Sequence, residues 1–249
     1  MTFVRAAGAE GLSHRTSAWA YGQVMLAKTD RNGEHPPIEQ YLAAIYTLEE
    51  DGAQVVQARL AERVGHSAPT VSEMVRRLKG SGYITAEGRL LRLTSSGRQI
   101  AESVVRKHRL AGRFMTDVLG LPWHLADVEA DRWEHVISDD VEKRLVDVLG
   151  NPTTCPHGCP IPGSSGQAGP SIALADAKVG EQVCFCRVRE LANFDVEALK
   201  YLEDQHFVPG SKATVTAEGP DGSLVLDVGG RTIALGAPIA KRLSVTPAA

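Results

Sequence analysis

Between Val55 and Gly82, two short segments carry apolar residues at helical spacing on either side of Gly65, His66 and Ser67. Ser67 is suited to cap the second helix, where Pro69 fits the first turn. The pattern predicts a helix-turn-helix whose second helix can enter a DNA major groove; an ordinary helix pair in a bundle is the alternative. In the second helix the apolar stripe is Val71, Met74, Val75 and Leu78, and the opposite face carries Thr70, Glu73, Arg76 and Arg77.

Two short alternating segments, residues 83–86 and 90–93, follow this motif around a turn that contains Gly88 and Arg89. A hairpin directly after a recognition helix is typical of a wing, from which Arg89 or Arg92 can reach phosphates. The hairpin therefore favours a winged helix-turn-helix over the bundle.

Longer amphipathic segments flank the motif and predict helices at residues 38–50 and 95–119. We therefore place a winged helix-turn-helix DNA-binding domain at residues 36–100. Residues 1–35 show no sustained period and are expected to be a disordered extension.

The apolar pattern of residues 125–149 predicts one further helix, which carries too many large apolar residues for a surface helix. We expect it to pack against its symmetry mate in a homodimer, so that residues 101–150 form a helical metal-binding and dimerisation domain. Residues 151–170 are a linker that is rich in Pro, Gly and Ser and contains cysteine. Short alternating segments in residues 171–249 predict a small β-barrel. The expected fold class is thus mainly α with a small β component.

The net charge of −3 is unevenly spread along the chain. Residues 36–120 contain 12 Lys and Arg against 9 Asp and Glu, whereas residues 121–249 contain 11 against 18. The basic excess coincides with the predicted DNA-binding domain. The sequence has no run of 18 apolar residues and no signal-peptide core, so we expect a cytoplasmic protein without a membrane partner.

One candidate metal site lies on the predicted helix of residues 125–149. Asp131, Glu134 and His135 stand at i, i+3 and i+4, and would leave the same helical face. Carboxylates with an imidazole suit Mn²⁺, Fe²⁺ or Zn²⁺. The alternative is a solvated face with a salt-bridged histidine.

The four cysteines suggest a second candidate site. Cys155 and Cys159 are spaced C-x3-C in the linker, and Cys184 and Cys186 are spaced C-x-C on a predicted strand, where both would point to one side. Four thiolates would bind Zn²⁺ or an iron–sulfur cluster. The alternative is a set of buried free thiols.

Residues 37–162 resemble the diphtheria toxin repressor family of iron- and manganese-responsive regulators. The resemblance rests on YLAAIYTLEE, LAERVGHSAPTVSEMVRRL, VVRKHRLAGRF, DVLGLPW, RWEHVISDDVEKRL and NPTTCPHGCPIPG. The segment after Ser171 is similar, more weakly, to the SH3-like or FeoA-like third domain of that family. The resemblance implies a homodimeric repressor that binds a palindromic operator when a metal orders its first helix.

Carried over residue by residue, the resemblance implies a divalent metal at Gln40, Asp131, Glu134 and His135. Asp131 stands where iron sensors have Cys, and Gln40 where they have Met. Oxygen thus replaces sulfur as the donor atom, and this harder ligand set resembles that of manganese sensors more. The family's ancillary site keeps His108. It has lost two ligands to Gly112 and Asp127 and a third at Ala198, although Asp195 remains as a candidate. We interpret this ancillary site as degraded.

These features predict a DNA-binding repressor of metal-homeostasis genes, with sensing either at the four cysteines or at the carboxylate pocket. In the second case the cysteines hold only structural zinc. A metal-dependent hydrolase is less favoured because the sequence has no nucleophile motif or evident pocket for a small organic substrate. A metal carrier is the third functional alternative. Glu73 either accepts from a cytosine amino group or pairs with Arg77. The predicted DNA contacts are Gln57, Arg59, Ser67, Pro69, Thr70, Ser72, Glu73, Arg76, Arg77 and Arg89.

Overall fold

The computed structural model describes residues 38–166, 169–189 and 196–248. The predicted extension at residues 1–35 and the candidate ligand Asp195 lie outside these ranges. Within them, every helix is too short or too polar to cross a lipid bilayer.

The N-terminal part of the described chain is a winged helix-turn-helix, as predicted. Ser67 caps the recognition helix by accepting a hydrogen bond from the Thr70 N–H at 3.4 Å, and Gly65 adopts a left-handed conformation (φ 68°) that ends the preceding helix. The elements are α1 (Ile38–Glu50), α2 (Gln57–Val64), α3 (Ala68–Gly80), β1 (Ile84–Glu87), β2 (Leu90–Leu93) and α4 (Ser95–Asp117).

A single apolar core holds this domain together. The stripe of α3 lies fully inside it, against α1, α2 and the hairpin. Each large apolar side chain in this core contributes about 1.5–3 kcal/mol through burial. The recognition helix is therefore fixed by its buried face, which leaves its polar face free. The largest fully buried members are Tyr41, Leu42, Ile45, Leu60 and Leu78.

The prediction of one helix over residues 125–149 was wrong, because the structure has two: α5 (Trp123–Trp133) and α6 (Asp139–Val148). The N–H groups of Val136 and Ile137 turn back onto the Trp133 carbonyl, which ends the first helix. Ser138 caps the second, whose first turn is acidic as a helix N-terminus prefers. As a result Glu134 closes α5 and His135 lies beyond it.

The linker predicted at residues 151–170 has a defined conformation over its described part. Thr154 and Pro160 form an antiparallel bridge that closes a tight loop, and Arg106 of α4 donates to the Pro162 carbonyl at 2.7 Å. The loop is therefore packed against the helical body.

The C-terminal domain is a six-stranded antiparallel sheet with the order β3-β8-β4-β5-β6-β7. Residues of β4 alternate between a buried and a more accessible side, and Phe185 and Phe207 stack at 4.9 Å within the core. Trp123 of α5 belongs to the same core, so the helical body and the sheet share a buried side chain. The elements are β3 (Ile172–Ala173), β4 (Gln182–Val188), α7 (Val196–Asp204), β5 (Lys212–Glu218), β6 (Leu224–Val228), β7 (Arg231–Leu235), α8 (Ala237–Ala240) and β8 (Leu243–Pro247).

Candidate metal centre

His108 lies inside a group of three carboxylates between α4 and α5. Its Nδ1 is 2.9 Å from Glu134 Oε2 and 3.3 Å from Asp131 Oδ1, and its Nε2 is 2.9 Å from Asp127 Oδ1. We call these four residues the His108 cage. Every ring nitrogen of His108 therefore faces a carboxylate.

Helical spacing explains why the cage forms. Asp127, Asp131 and Glu134 follow one another at i, i+4 and i+7, so they share the face of α5 that packs against α4. His108 projects from α4 into that face. The acidic side chains are therefore assembled locally, and only the histidine depends on tertiary packing.

The electrostatics show that the cage favours a cation. Burial alone would lower the pKa of His108, but hydrogen bonds to the three carboxylates and the charge of Asp127 raise that pKa well above its ordinary value. For Asp127, burial opposes ionisation, yet the hydrogen bond and charge of His108 lower its pKa. Asp127 and His108 thus stabilise each other's charged forms.

Among the described residues, His108, Asp131 and Glu134 are the only group of three or more His, Cys, Asp or Glu residues whose ligand atoms all lie within 4.8 Å of one another. Carboxylate oxygens with one imidazole form a hard donor set that suits Mn²⁺ or Fe²⁺ and accommodates Zn²⁺. The residues present therefore fit a divalent first-row metal.

Glu134 connects the cage to a second set of side chains. Its Oε1 lies 3.1 Å from His135 Nε2, and His135 Nδ1 lies 3.3 Å from Glu39 Oε2 at the start of α1. Gln40, the next residue on α1, has a buried Oε1 without a hydrogen-bond partner in the described structure. A buried carbonyl oxygen without a hydrogen bond lowers the free energy of unfolding by about 1–3 kcal/mol unless a further group binds it.

The structure therefore groups the predicted ligands differently from the sequence. Asp131 and Glu134 approach His108, which we had assigned to a degraded ancillary site, whereas His135 lies on the other side of Glu134. The common face of Asp131, Glu134 and His135 stays a prediction: α5 ends at Trp133, so Glu134 and His135 both follow its last residue, and His135 contacts Glu134. Asp127 was read as a lost ligand, yet it hydrogen-bonds the cage histidine. Its i, i+4, i+7 spacing with the other two acids was the signal that could have identified it.

The four cysteines do not form one group. The thiol of Cys186 lies 3.6 Å from Thr246 Oγ1, the thiol of Cys184 lies 3.7 Å from the Gly210 carbonyl, and that of Cys159 lies 3.6 Å from the Val188 carbonyl. No set of three cysteines within the described ranges has sulfurs within 4.8 Å of one another. The sequence-based expectation of a four-thiolate site thus has no support in this geometry.

Cys155 and Cys159 are nevertheless close together in the loop. The Cys155 N–H donates to the Cys159 carbonyl at 2.8 Å. Burial opposes ionisation of Cys155, but hydrogen bonds from Cys159 and His157 and the charge of Arg109 hold the pKa of Cys155 well below its usual range. This pair is therefore chemically distinct from the two cysteines of β4.

The predicted DNA contacts lie on the helix-turn-helix and its wing. All of them are exposed except Thr70 and Glu73, which are partly buried. The hydroxyls of Ser67 and Thr70 hydrogen-bond each other at 2.8 Å. Glu73 pairs with Arg76, and not with Arg77, which was one of the two partners considered for it from the sequence. Arg77 is thus left exposed on the polar face of the recognition helix.

Three parts of the sequence match known protein families. Residues 35–90 match the iron dependent repressor N-terminal DNA binding domain, and residues 94–163 match the iron dependent repressor metal binding and dimerisation domain. Residues 172–247 match the FeoA domain. Together they span most of the described chain.

Individual proteins agree with these matches. The iron-dependent repressor IdeR of Mycobacterium leprae is 44% identical over 205 residues, which are 77% of this chain and 88% of that protein. The diphtheria toxin repressor of Corynebacterium diphtheriae is 38% identical over 207 residues, 79% of this chain and 91% of that protein. A solved manganese-dependent transcriptional repressor in complex with manganese is 32% identical. It superposes with a TM-score of 0.77 over 85% of this chain and 100% of its own.

Proposed function

The chain belongs to the diphtheria toxin repressor family, and we propose that it is a homodimeric repressor that binds its operator when Mn²⁺ or Fe²⁺ occupies the His108 cage. The observation that carries this proposal is the cage itself, which holds three carboxylates and one imidazole beside the first helix of the winged domain. The chain is not an enzyme, since the families and proteins that it matches are repressors.

Three residues would hold the metal in the first instance: His108, Asp131 and Glu134. Gln40 and His135 are the nearby groups that support a larger ligand set, because Gln40 Oε1 has no hydrogen-bond partner among the described residues and His135 already touches Glu134. A bound divalent cation would supply the positive charge that the carboxylates require. The hard donor set favours manganese or iron over softer metals.

Metal occupancy is expected to influence DNA binding through α1. Gln40 and Glu39 lie in the first turn of this helix, and Glu39 reaches His135. The rest of α1 packs in the core that also fixes the recognition helix. The position of α1 is thus the physical link between the cage and the DNA-binding surface.

The recognition helix supplies the DNA contacts in this proposal. Its N-terminal residues, Ser67, Pro69 and Thr70, are suited to base edges in the major groove, and Arg77 and the wing residue Arg89 to phosphates. A dimer would present two such helices to a palindromic site, and the cytoplasm is the compartment where it would meet DNA.

An exposed apolar strip supports the homodimer. Val136 and Val148 are 69% and 63% exposed, and Trp133 and Val141, in the same segment of chain, are 37% and 48% exposed. A contiguous exposed apolar patch marks an interface, and these residues are the candidates for one. We propose that two copies of the chain bury this strip against each other.

An iron–sulfur cluster or zinc at the four cysteines is not part of the proposed mechanism. The separate environments of Cys159, Cys184 and Cys186 give no support to a four-thiolate site.

The test is operator binding as a function of metal. A duplex is first selected from a random library with the full chain and Mn²⁺, and its affinity is then measured by fluorescence anisotropy with Mn²⁺, with anaerobic Fe²⁺ and with chelator. We expect tight binding with either metal and loss of binding with chelator. Asp131→Asn should lose the metal response, because it removes a ligand charge.

Glu129→Gln is the matched control, since Glu129 lies on the same helix and pairs with the exposed Arg132. This variant should behave like the wild type. Selection of no duplex in either metal, or equal losses in both variants, would contradict the proposed function.

A further inference from the structure

The C-terminal end of α1 has an unfavourable charge distribution of its own. It ends in Glu49 and Glu50, Asp51 follows directly, and no basic residue lies in its last turn. A helix C-terminus carries partial negative charge, so acidic residues there are destabilising and cations stabilise it. The compensating cations must come from elsewhere in the molecule.

The backbone at this helix end turns back onto the carbonyls of Leu48 and Glu49. Gly52, at φ 72°, allows the Gly52 N–H to donate to the Glu49 carbonyl and the Ala53 N–H to donate to the Leu48 carbonyl. This is the Schellman arrangement. The carbonyls of Glu50 and Asp51 lie beyond the reach of these bonds.

Two arginines of the C-terminal domain contact these two carbonyls. Arg187 Nη2 lies 3.5 Å from the Glu50 carbonyl and 3.6 Å from Asp51 Oδ1, and Arg189 Nη2 donates to the Asp51 carbonyl at 3.1 Å. The side chains of Arg187 and Asp51 are each only 11% exposed. Salt therefore screens this pair less than it screens a surface pair.

The acidic side chains nearby are neutralised from α4. Arg109 binds Glu50 through two hydrogen bonds of 2.9 and 2.5 Å, and Arg98 reaches Glu49 at 2.5 Å. The C-terminal domain thus contacts the carbonyl end of the helix and Asp51, whereas α4 contacts the side chains of Glu49 and Glu50.

The strand that carries Arg187 is itself held in place by the loop of residues 154–160. The Val188 N–H donates to the His157 carbonyl at 2.9 Å. At Gly158 (φ 84°), an added Cβ would lie 1.9 Å from the Cys186 carbonyl oxygen, so only glycine permits this approach. Arg187 is thus presented to α1 from a fixed backbone.

We propose that Arg187 and Arg189 are positioning residues, through which the C-terminal domain holds the carbonyl end of α1 and thereby sets how readily metal produces the DNA-binding state. This inference rests on the proposed function. The helix is held at its first turn by the residues around the metal cage and at its last turn by the two arginines. Both ends act on the same rigid element of 13 residues.

Thermodynamic coupling gives the proposal its measurable consequence. If the arginines favour the same position of α1 as the metal does, their removal must be compensated by more metal. In Arg187→Ala/Arg189→Ala we expect the Mn²⁺ concentration for half-maximal operator binding to rise about 5-fold or more. Affinity for the operator at saturating Mn²⁺ should approach that of the wild type.

The experiment measures three quantities on the full-length chain: the Mn²⁺ midpoint of operator binding, Mn²⁺ affinity without DNA, and hydrogen exchange of the amides of residues 47–53. A structural role alone would lower thermal stability without moving the metal midpoint. Arg187→Lys keeps the charge without the planar fork and should restore the midpoint in part. Arg231→Ala, which removes an exposed arginine of the same sheet, is the control and should change none of the three.

Asp51→Asn tests the contact from the other side. It should raise the Mn²⁺ midpoint, and its effect combined with that of Arg187→Ala should be smaller than the sum of the two, since both variants remove the Arg187–Asp51 pair. An unchanged midpoint in folded Arg187→Ala/Arg189→Ala, while the wild type still responds to Mn²⁺, would overturn the inference and leave the proposed function intact. A wild-type chain that binds no duplex would instead contradict the proposed function.

Discussion

The recognition helix and the His108 cage both consist of charged side chains at helical spacing, but their surroundings are opposite. On α3, Arg76 is 77% exposed and Arg77 also faces water, so both charges are solvated even though Arg76 pairs with Glu73. In the cage, Glu134 is 8% exposed and His108 20%, and each charge depends on its neighbours. The first arrangement suits a surface that contacts a partner, and the second suits a site that requires a cation.

The largest effect on stability should come from removing the cation of the cage. His108→Ala leaves Asp127, Asp131 and Glu134 close together without the group that separates them, and an uncompensated buried charge costs about 3–5 kcal/mol. We expect the free energy of unfolding without metal, measured by urea titration, to fall by about 3 kcal/mol. Arg76→Ala should lower the free energy of unfolding by at most about 0.5 kcal/mol. If His108→Ala lowers it by less than Arg76→Ala does, the contrast between the two regions is contradicted.

An intermediate effect, on DNA binding and not on stability, should follow from Arg77→Ala. If Arg77 contacts phosphate, affinity for all duplexes falls in similar proportion, and the slope of log affinity against log salt decreases by about 1. The measurement is anisotropy at several salt concentrations, beside urea titration of the same variant. Thr70→Ala serves as the comparison, because a residue near base edges should alter sequence preference instead of the salt slope. An unchanged salt slope and affinity in Arg77→Ala would place this face of α3 away from the DNA.

The smallest effect should come from Cys184→Ser/Cys186→Ser. Their thiols lie near Thr246 and the Gly210 carbonyl and outside any group of three thiols in the described residues. We expect the Mn²⁺ midpoint of operator binding and the metal content of the purified protein to equal those of the wild type. Loss of bound zinc, or of iron with acid-labile sulfide, would revive the four-cysteine hypothesis.

Local patterns in the sequence were sufficient for the winged domain. The stripe of α3, the Ser67 cap and the hairpin are all defined within a few residues of chain, and the structure has each of them. The sequence also contained the signal for the break between α5 and α6, namely Ser138 followed by Asp139 and Asp140. Apolar residues at helical spacing continue across this position, and they led to the prediction of one helix.

The arrangement of the candidate site could not be read in the same way. His108 and Asp127 are 19 residues apart on different helices, and nothing local states which face of α4 meets α5. The contact of Arg187 with Asp51 spans still more of the chain and depends on how two domains pack. A resemblance could supply a ligand set, but it could not show that His108, Asp131 and Glu134 converge.

Trp123 has a practical consequence for dissecting this molecule. Its indole is 7% exposed because it completes the apolar interior of the C-terminal domain, and its Nε1 donates to the Pro156 carbonyl at 2.8 Å. A fragment truncated after residue 163 would leave that ring in water, and an isolated C-terminal fragment would have a void where the ring belongs. Measurements on truncated chains would therefore reflect the surface that the truncation exposes as well as the loss of the missing domain.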